Sequence, residues 1–244
     1  VAVKVLYDAD ILIGGYRLSS DHNSIDLTIS QDVVQVPPVF GDVARRVLPG
    51  PYSIRADGEG LYQANTSPQA VINTLRARIG PTVAADILTI GDTKADGDEA
   101  YCFKGVQEAF SHGGRHGEVN KFRVSSRGAY RYLPGTRMLI GQKTVAGNGV
   151  ARQLGTVGAT QSVIAVMHVY QFDGTDMTMI VQSDTAEGFP SPTTALSFSL
   201  ANGIGAQWVE VAGLWSEDWW RMSWSGTFTS FSASVVVGIV ETIG

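Results

Sequence analysis

Two histidines four residues apart, His112 and His116, with Glu118 just beyond, are residue types that could hold a metal ion. They fall in the run His112-Gly113-Gly114-Arg115-His116-Gly117, which makes a turn and gives the two imidazoles no shared face. The segment reads as a solvated hairpin tip. Asp92, Asp96, Asp98 and Glu99 place hard oxygen donors in one loop, the chemistry of a calcium site, but their spacing departs from an EF-hand loop and Gly97 suits a turn. An acidic solvated turn is the expectation. Cys102 is the single cysteine, which excludes an intrachain disulfide and a thiolate-rich metal site; in an alternating run it reads as a small buried hydrophobe. His168 lies in the apolar run 163–172 and reads as a structural histidine. No Gly-x-Ser-x-Gly, P-loop, His-Glu-x-x-His or dinucleotide fingerprint occurs. The expectation is therefore no catalytic residue, no cofactor, no metal and no enzyme. A glycan-cleaving hydrolase with paired carboxylates is the rival, because any Asp or Glu could serve in it.

The tryptophans offer a different chemistry. Trp208, Trp215, Trp219, Trp220 and Trp224 are gathered toward the end of the chain, where aromatic platforms could stack sugars. Neighbours in a strand point to opposite faces. Trp220, Met222 and Trp224 thus share one face, read as core, and Trp219 shares the other with Arg221. Trp219 is the candidate ligand contact, and a receptor- or carbohydrate-binding virion module is the functional alternative it would support.

The elements that would position these residues are strands. Only 17% of the 244 residues are charged and 28 are glycine, a composition that fits an all-β protein with many turns. Strands are read at 4–7 and 11–18, at 24–30 and 52–58 by strict alternation, and then at 82–90, 100–106 and 118–126. One flanking helix is expected near 67–79, with Ser67 as N-cap, Pro68 in the first turn and Gly80-Pro81 as the stop. Between strands 24–30 and 52–58 lies a long loop, 31–50, that carries many hydrophobes. Median connections are only about 4–6 residues, so a loop of this kind needs another surface to cover it. Val34, Val36, Val39, Phe40, Val43, Val47 and Leu48 are the candidate oligomer-interface residues. The alternative is a loop folded back onto its own core.

Composition shifts over 135–149, which places a boundary between a domain at 1–142 and a second at 143–244. The second reads as a small β-sandwich, jelly-roll or Ig-like, with strands at 162–172, 176–182, 195–200, 208–211, 219–224 and 228–240 and turns at Asp173-Gly174 and Asn202-Gly203. The net charge of −5 belongs to this half: from Lys143 onward there are 3 basic and 8 acidic residues, against 15 of each before it. No basic stripe could grip phosphates, which argues against sequence-specific nucleic-acid binding. No basic-then-apolar leader opens the sequence and no apolar run nears the roughly 18 residues of a membrane span. A protein with no membrane partner, made in a reducing cytoplasm, is expected.

Residues 1–140 resemble the tail tube (major tail) proteins of long-tailed bacteriophages. The resemblance rests on Asn23-Ser24-Ile25-Asp26-Leu27, on Phe40-Gly41-Asp42 through Leu48-Pro49-Gly50, on 52–60, and on strand 100–108 followed by a glycine turn and 118–126. The second half is similar to β-sandwich domains appended to virion proteins, through Gln182-Ser183-Asp184, the run 190–194 and Trp219-Trp220-Arg221. What the resemblance implies is a tail-tube-like β-sandwich or barrel domain that joins copies of itself into stacked rings, six to a ring, forming a tube through which DNA passes without specific contacts. Other phage tail proteins would be its partners, the virion tail its location, and the host cytoplasm its place of assembly. A capsid decoration or baseplate role is the variant of this reading.

Overall fold

A computed structural model of the chain describes residues 9–18, 22–36, 46–61, 75, 77–79, 86–91, 94–116, 118–199 and 202–241. Thirteen strands run through them: β1 (Asp10–Ile13), β2 (Tyr16–Arg17), β3 (His22–Val36), β4 (Arg46–Leu61), β5 (Asp86–Gly91), β6 (Glu99–Gly113), β7 (Lys121–Lys143), β8 (Gly147–Asn148), β9 (Arg152–Gln153), β10 (Gln161–Asp184), β11 (Thr193–Phe198), β12 (Gly205–Ala212) and β13 (Trp219–Glu241). The protein is all-β, as its composition requires. The helix expected at 67–79 lies largely outside the described residues, although Leu75 within it is helical and buried. The strand expected at 4–7 also lies outside them.

Packing divides the chain into two compact units. Unit 1 comprises Val1–Ser20, Asp86–Phe103 and Tyr132–Gly244; unit 2 comprises Asp21–Ala85 and Lys104–Arg131. Both are discontinuous, so they differ from a single cut after residue 142. The cause is the length of β6 and β7, each of which gives one stretch to either unit. The glycines at 135–149 that read as a boundary are partly strand. A Cβ on Gly135 would lie 2.7 Å from Val236 Cγ1, so that glycine permits a close approach of backbone to side chain.

Unit 1 is organised by β10 and β13, which pair antiparallel from Gln161↔Glu241 to Asp184↔Trp219. The sequence reading breaks each of these strands in two; the structure keeps them whole and bends them. The ladder skips Tyr170 and Thr175 on β10 and Thr229 on β13, and such bulges bend a strand and raise its twist. Gly226 has φ 139° and no room for a side chain, since a Cβ there would clash with the Asp176 carbonyl. The Asp173-Gly174 signal therefore marks a bulge and not a hairpin.

Each extra residue flips the side-chain alternation once. Two on β10 restore it, so Val163, Ala165 and Met167 and later Met177, Met179 and Val181 all face one way. One on β13 reverses it, from Trp220, Met222 and Trp224 to Phe231, Ala233 and Val235. All of these belong to one core, which the ribbon makes by folding over itself. Its other face carries Ile164, Val166 and Val236 against Ala100, Cys102 and Leu133. Burial on both faces explains why 162–169 is apolar almost without a break.

Unit 2 is built on an antiparallel ladder. β3 pairs with β4 from His22↔Gly60 to Val36↔Arg46, and β4 pairs with the first part of β7 from Leu61↔Lys121 to Ile54↔Gly128. β7 also neighbours β6. The described part of the long loop expected at 31–50 is ladder: Val33↔Pro49, Val34↔Leu48, Gln35↔Val47 and Val36↔Arg46 extend the hairpin beyond a register shift between Gln31 and Val33. β-Branched valines suit a pleated strand better than a loop. Here Asp32 of β3 stands opposite two residues of β4, Gly50 and Pro51, so the extra residue lies on β4 and interrupts the alternation on which the sequence reading relied.

Candidate assembly interface

The strand borders of unit 2 are its main unsatisfied feature. In this unit β3 pairs with β4, β4 with β3 and β7, and β7 with β6. Among the described residues, β3 has no second strand partner, and the other neighbour of β6 is the six-residue β5, too short to pair along the whole of the fifteen-residue β6. Such borders present unpaired backbone N–H and C=O groups and act as templates for another chain. β3 and β4 are antiparallel, as are β4 and β7, and β6 enters β7 through the short connection 114–120. The two border strands therefore run in opposite senses. Placed side by side, β6 of one copy and β3 of the next would continue the antiparallel pattern, and an even strand number lets that pattern close on itself.

The two faces of this sheet differ. Ile54, Ala56, Phe122 and Val124 are buried on one, where Ile25 and Leu27 of β3 are half-buried and Ile29 is 41% exposed. The other face is polar and largely neutralises itself. Arg55 Nε donates to Asp57 Oδ2 at 2.7 Å, Arg123 Nε to Glu59 Oε2 at 3.0 Å and Lys121 Nζ to Glu59 Oε1 at 3.3 Å. Arg127 pairs with Glu108 at 3.1 Å. The hydrogen bond from Arg55 holds the Asp57 carboxyl below the usual aspartate range, and that from Lys121 does the same for Glu59. A shallow depression there is lined by Ser24, Asp26, Arg55, Asp57, Glu59 and Arg123, which gives it no dominant sign of charge.

Of the candidate interface residues, Val34, Val36, Val47 and Leu48 fall in the extended β3–β4 hairpin, where Val34 pairs directly with Leu48. Val39, Phe40 and Val43 lie outside the described residues. Trp219 is half-buried in unit 1 at the start of β13, while Trp220, Met222 and Trp224 enter the core as the alternation predicts.

The residues weighed for metal chemistry are not brought together. His112 is exposed on β6, which runs further than the sequence suggested, and His116 is exposed in the turn beyond it. Asp92 lies outside the described residues. Among the described residues no cluster of three or more His, Cys, Asp or Glu could hold a metal ion, and no helix is long and apolar enough to cross a membrane.

Sequence reasoning missed two buried polar groupings in unit 1. His168 Nδ1 accepts from the Gly15 N–H at 3.2 Å, which places the ring proton on Nε2, 2.9 Å from Thr89 Oγ1. Thr89 Oγ1 in turn lies 3.1 Å from Cys102 Sγ. Burial pushes the Cys102 thiol up to about 12, so it stays protonated and is no nucleophile. Beside this chain, Asp10 Oδ1 accepts from Arg17 Nε at 2.7 Å, and Arg137 Nη1 lies 3.0 Å from Asp10 Oδ2 as an ion pair, with Asp10 and Arg137 both fully buried. Arg137 fits because Gly91 has no side chain: a Cβ there would clash with the guanidinium. The one signal in the sequence was a polar residue inside each apolar strand.

No protein-family model and no curated protein matches the chain. Among solved structures it is similar to a chain of the extended sheath–tube complex of PVC, an extracellular contractile injection system, with 12% identity and a TM-score of 0.45 over 55% of this chain and 92% of that one. It is also similar to a chain of the native gene transfer agent virion, with 11% identity and a TM-score of 0.40 over 51% and 95%. The SPP1 Dit protein, described as a paradigm of the hub adsorption apparatus of phages infecting Gram-positive hosts, has 9% identity and a TM-score of 0.38 over 95% and 99%. Likenesses this distant carry no function to the present chain, and the functional argument rests on the strand borders.

Proposed function

We propose that this chain is a structural, non-catalytic subunit of a phage-type virion tail that assembles with copies of itself. The observation that supports the reading is that, among the described residues, β3 and β6 border the four-stranded ladder of unit 2 on opposite sides, β3 with no second strand partner and β6 with only the short β5. Pairing β6 of one copy with β3 of the next satisfies both borders at once. Repeated around an axis, such a head-to-tail contact closes into a ring. The resemblance to tail tube proteins supplies the count of six and the stacking of rings into a tube. The β3–β4 hairpin beyond Asp32, with Val34, Val36, Val47 and Leu48 and the span 37–45 that includes Val39, Phe40 and Val43, is the arm that reaches an adjacent subunit or ring. DNA would pass without specific contacts, which suits a sheet face whose charges are already paired. Other tail proteins would meet the ends of the tube, in a virion assembled in the host cytoplasm.

Negative-stain microscopy and sedimentation of the full chain test this. Annular or tubular particles are expected, and an Ile29→Lys/Val106→Lys double variant, which charges an exposed position on each border, should remain folded and monomeric. A wild-type chain that stays a single subunit at high concentration would refute the proposal.

A further inference from the structure

Unit 1 presents a second surface, on the sheet face opposite the core residues Trp220, Met222 and Trp224. Cross-strand pairing places Gln153 and Asp184 beside Trp219, Gln182 beside Arg221, and Asn148 and Ile180 beside Ser223. Directly paired residues share a face, so these side chains line the outer side of the sheet. At its centre Arg221 is held in place twice. Its Nε donates to Gln182 Oε1 at 2.9 Å, and its guanidinium lies over the Phe189 ring, 4.2 Å from the centroid. Phe189 is buried and is the one non-glycine residue with positive φ, 50°, among the described residues. Such a conformation persists only where its surroundings enforce it. The enforcement comes from Asp184, whose carboxylate accepts the backbone N–H groups of Ala186 at 3.1 Å and Ser191 at 2.8 Å and so ties down the loop that carries Phe189.

The arrangement leaves particular atoms for a ligand. With Nε of Arg221 and Oε1 of Gln182 engaged with each other, the Arg221 Nη groups and Gln182 Nε2 are donors without a protein partner among the described residues. Gln153 gives its Nε2 to Asp218 at 2.6 Å, which leaves Oε1 as an acceptor. Beside them stands the half-buried indole of Trp219, an apolar ring plane with a polar edge. A flat apolar platform flanked by fixed donors and an acceptor matches a pyranose ring, which has one apolar face and a rim of hydroxyls. The Asp184 carboxylate on this face is taken up by the backbone N–H groups of Ala186 and Ser191, and the sequence from Lys143 onward is net acidic. An acidic saccharide would be repelled by this half of the chain, and a neutral one would not.

We propose that Trp219, Arg221, Gln182 and Gln153 form a binding site for a neutral saccharide, with Trp219 as stacking platform and Arg221 as hydroxyl donor. The site goes beyond the tail-assembly reading and stands on unit 1 alone, so particle formation without sugar binding would refute only this proposal. The test is an array of neutral oligosaccharides of hexoses and N-acetylhexosamines, with uronate- and phosphate-bearing counterparts, followed by calorimetric titration of the best neutral binder. Wild type should bind a neutral saccharide. Trp219→Ala and Arg221→Gln should each weaken it by about tenfold or more, as loss of a central contact does. Trp219→Phe should retain part of the affinity, and Thr178→Ala, at the far end of the same face, all of it. Absence of binding by folded wild type, binding of acidic glycans only, or affinity unchanged in both Trp219→Ala and Arg221→Gln would each overturn the proposal.

Discussion

The two units use the same material in opposite ways. In unit 1 the β10–β13 ribbon folds over itself, so that its own bulged strands supply both sides of a core. Part of that ribbon is apolar on both faces, and its buried His168 is hydrogen-bonded inside the unit, to Gly15 and Thr89. Unit 2 stays a ladder with one polar face and, among the described residues, no second strand beside β3 and only the short β5 beyond β6. Bulges at the middle of a long hairpin let a chain fold over and satisfy itself, whereas the β3–β4 ladder, with register shifts at His22/Ser24 and at Gln31/Val33, leaves the satisfaction to a neighbour on the proposed reading. On the proposed reading unit 1 supplies stability and unit 2 assembly, and mutations should separate the two.

The largest expected effect is on assembly. Gln31 and Tyr52 are ladder partners, so joining them through Asn-Gly in place of residues 32–51 closes the hairpin with a favoured two-residue turn. This variant should stay folded, by circular dichroism, and form no long particles in sedimentation; persistence of tubes would remove the arm from the interface. Next in size is a core truncation in unit 1. Trp220 is fully buried and its Nε1 donates to the Gly155 carbonyl at 2.9 Å. Trp220→Ala should cost roughly 3–5 kcal/mol in thermal or denaturant unfolding, the range for buried large-to-small changes. Ile29→Ala, at an exposed position of unit 2, should change monomer stability by no more than about 0.5 kcal/mol. Equal losses from these two changes would erase the contrast.

Thiol chemistry sharpens the comparison from another side. Cys102 is fully buried, with its thiol pushed up to about 12. Labelling by an alkylating reagent should therefore be negligible in the native chain and should track opening of unit 1 as denaturant rises. Trp220→Ala should speed it, and the hairpin truncation should leave it unchanged.

What the sequence disclosed, it disclosed through alternation and through residue type. The strands at 24–30 and 52–58, the inward face of Trp220, Met222 and Trp224, the buried Cys102 and the structural His168 all follow from one strand or one residue. The bent ribbon was not legible, because Asp173-Gly174 is as good a turn as it is a bulge and only the partner strand decides. The hairpin at 31–36 and 46–50 was obscured by one extra residue on β4, at Gly50-Pro51, and by the prolines there. The Asp10–Arg137 pair joins residues more than a hundred positions apart, and nothing local to either announces the other. The borders of β3 and β6 are a property of strand order, which alternation does not encode.

The smallest predicted effects are those of pH, and they should have opposite signs in the two units. In unit 2 the carboxyl of Asp57 is held below its usual range by its hydrogen bond with Arg55. A carboxylate whose folded pKa is depressed contributes stability at pH above the ordinary range and loses it as pH falls through the depressed value. In unit 1 desolvation holds the Asp96 carboxyl above its usual range, against the attraction of Lys143, Arg152 and Arg137. Its ionisation therefore opposes folding at neutral pH, and the penalty is relieved as pH falls through the raised value. Asp57→Asn should lower the melting temperature at pH 7 by an amount that vanishes in acid, and Asp96→Asn should raise it at pH 7 by an amount that also vanishes in acid. Melting curves from pH 7 down to pH 3 decide the matter, and two variants that shift in the same direction would mean that Asp96 is better solvated than its place in the turn before β6 implies.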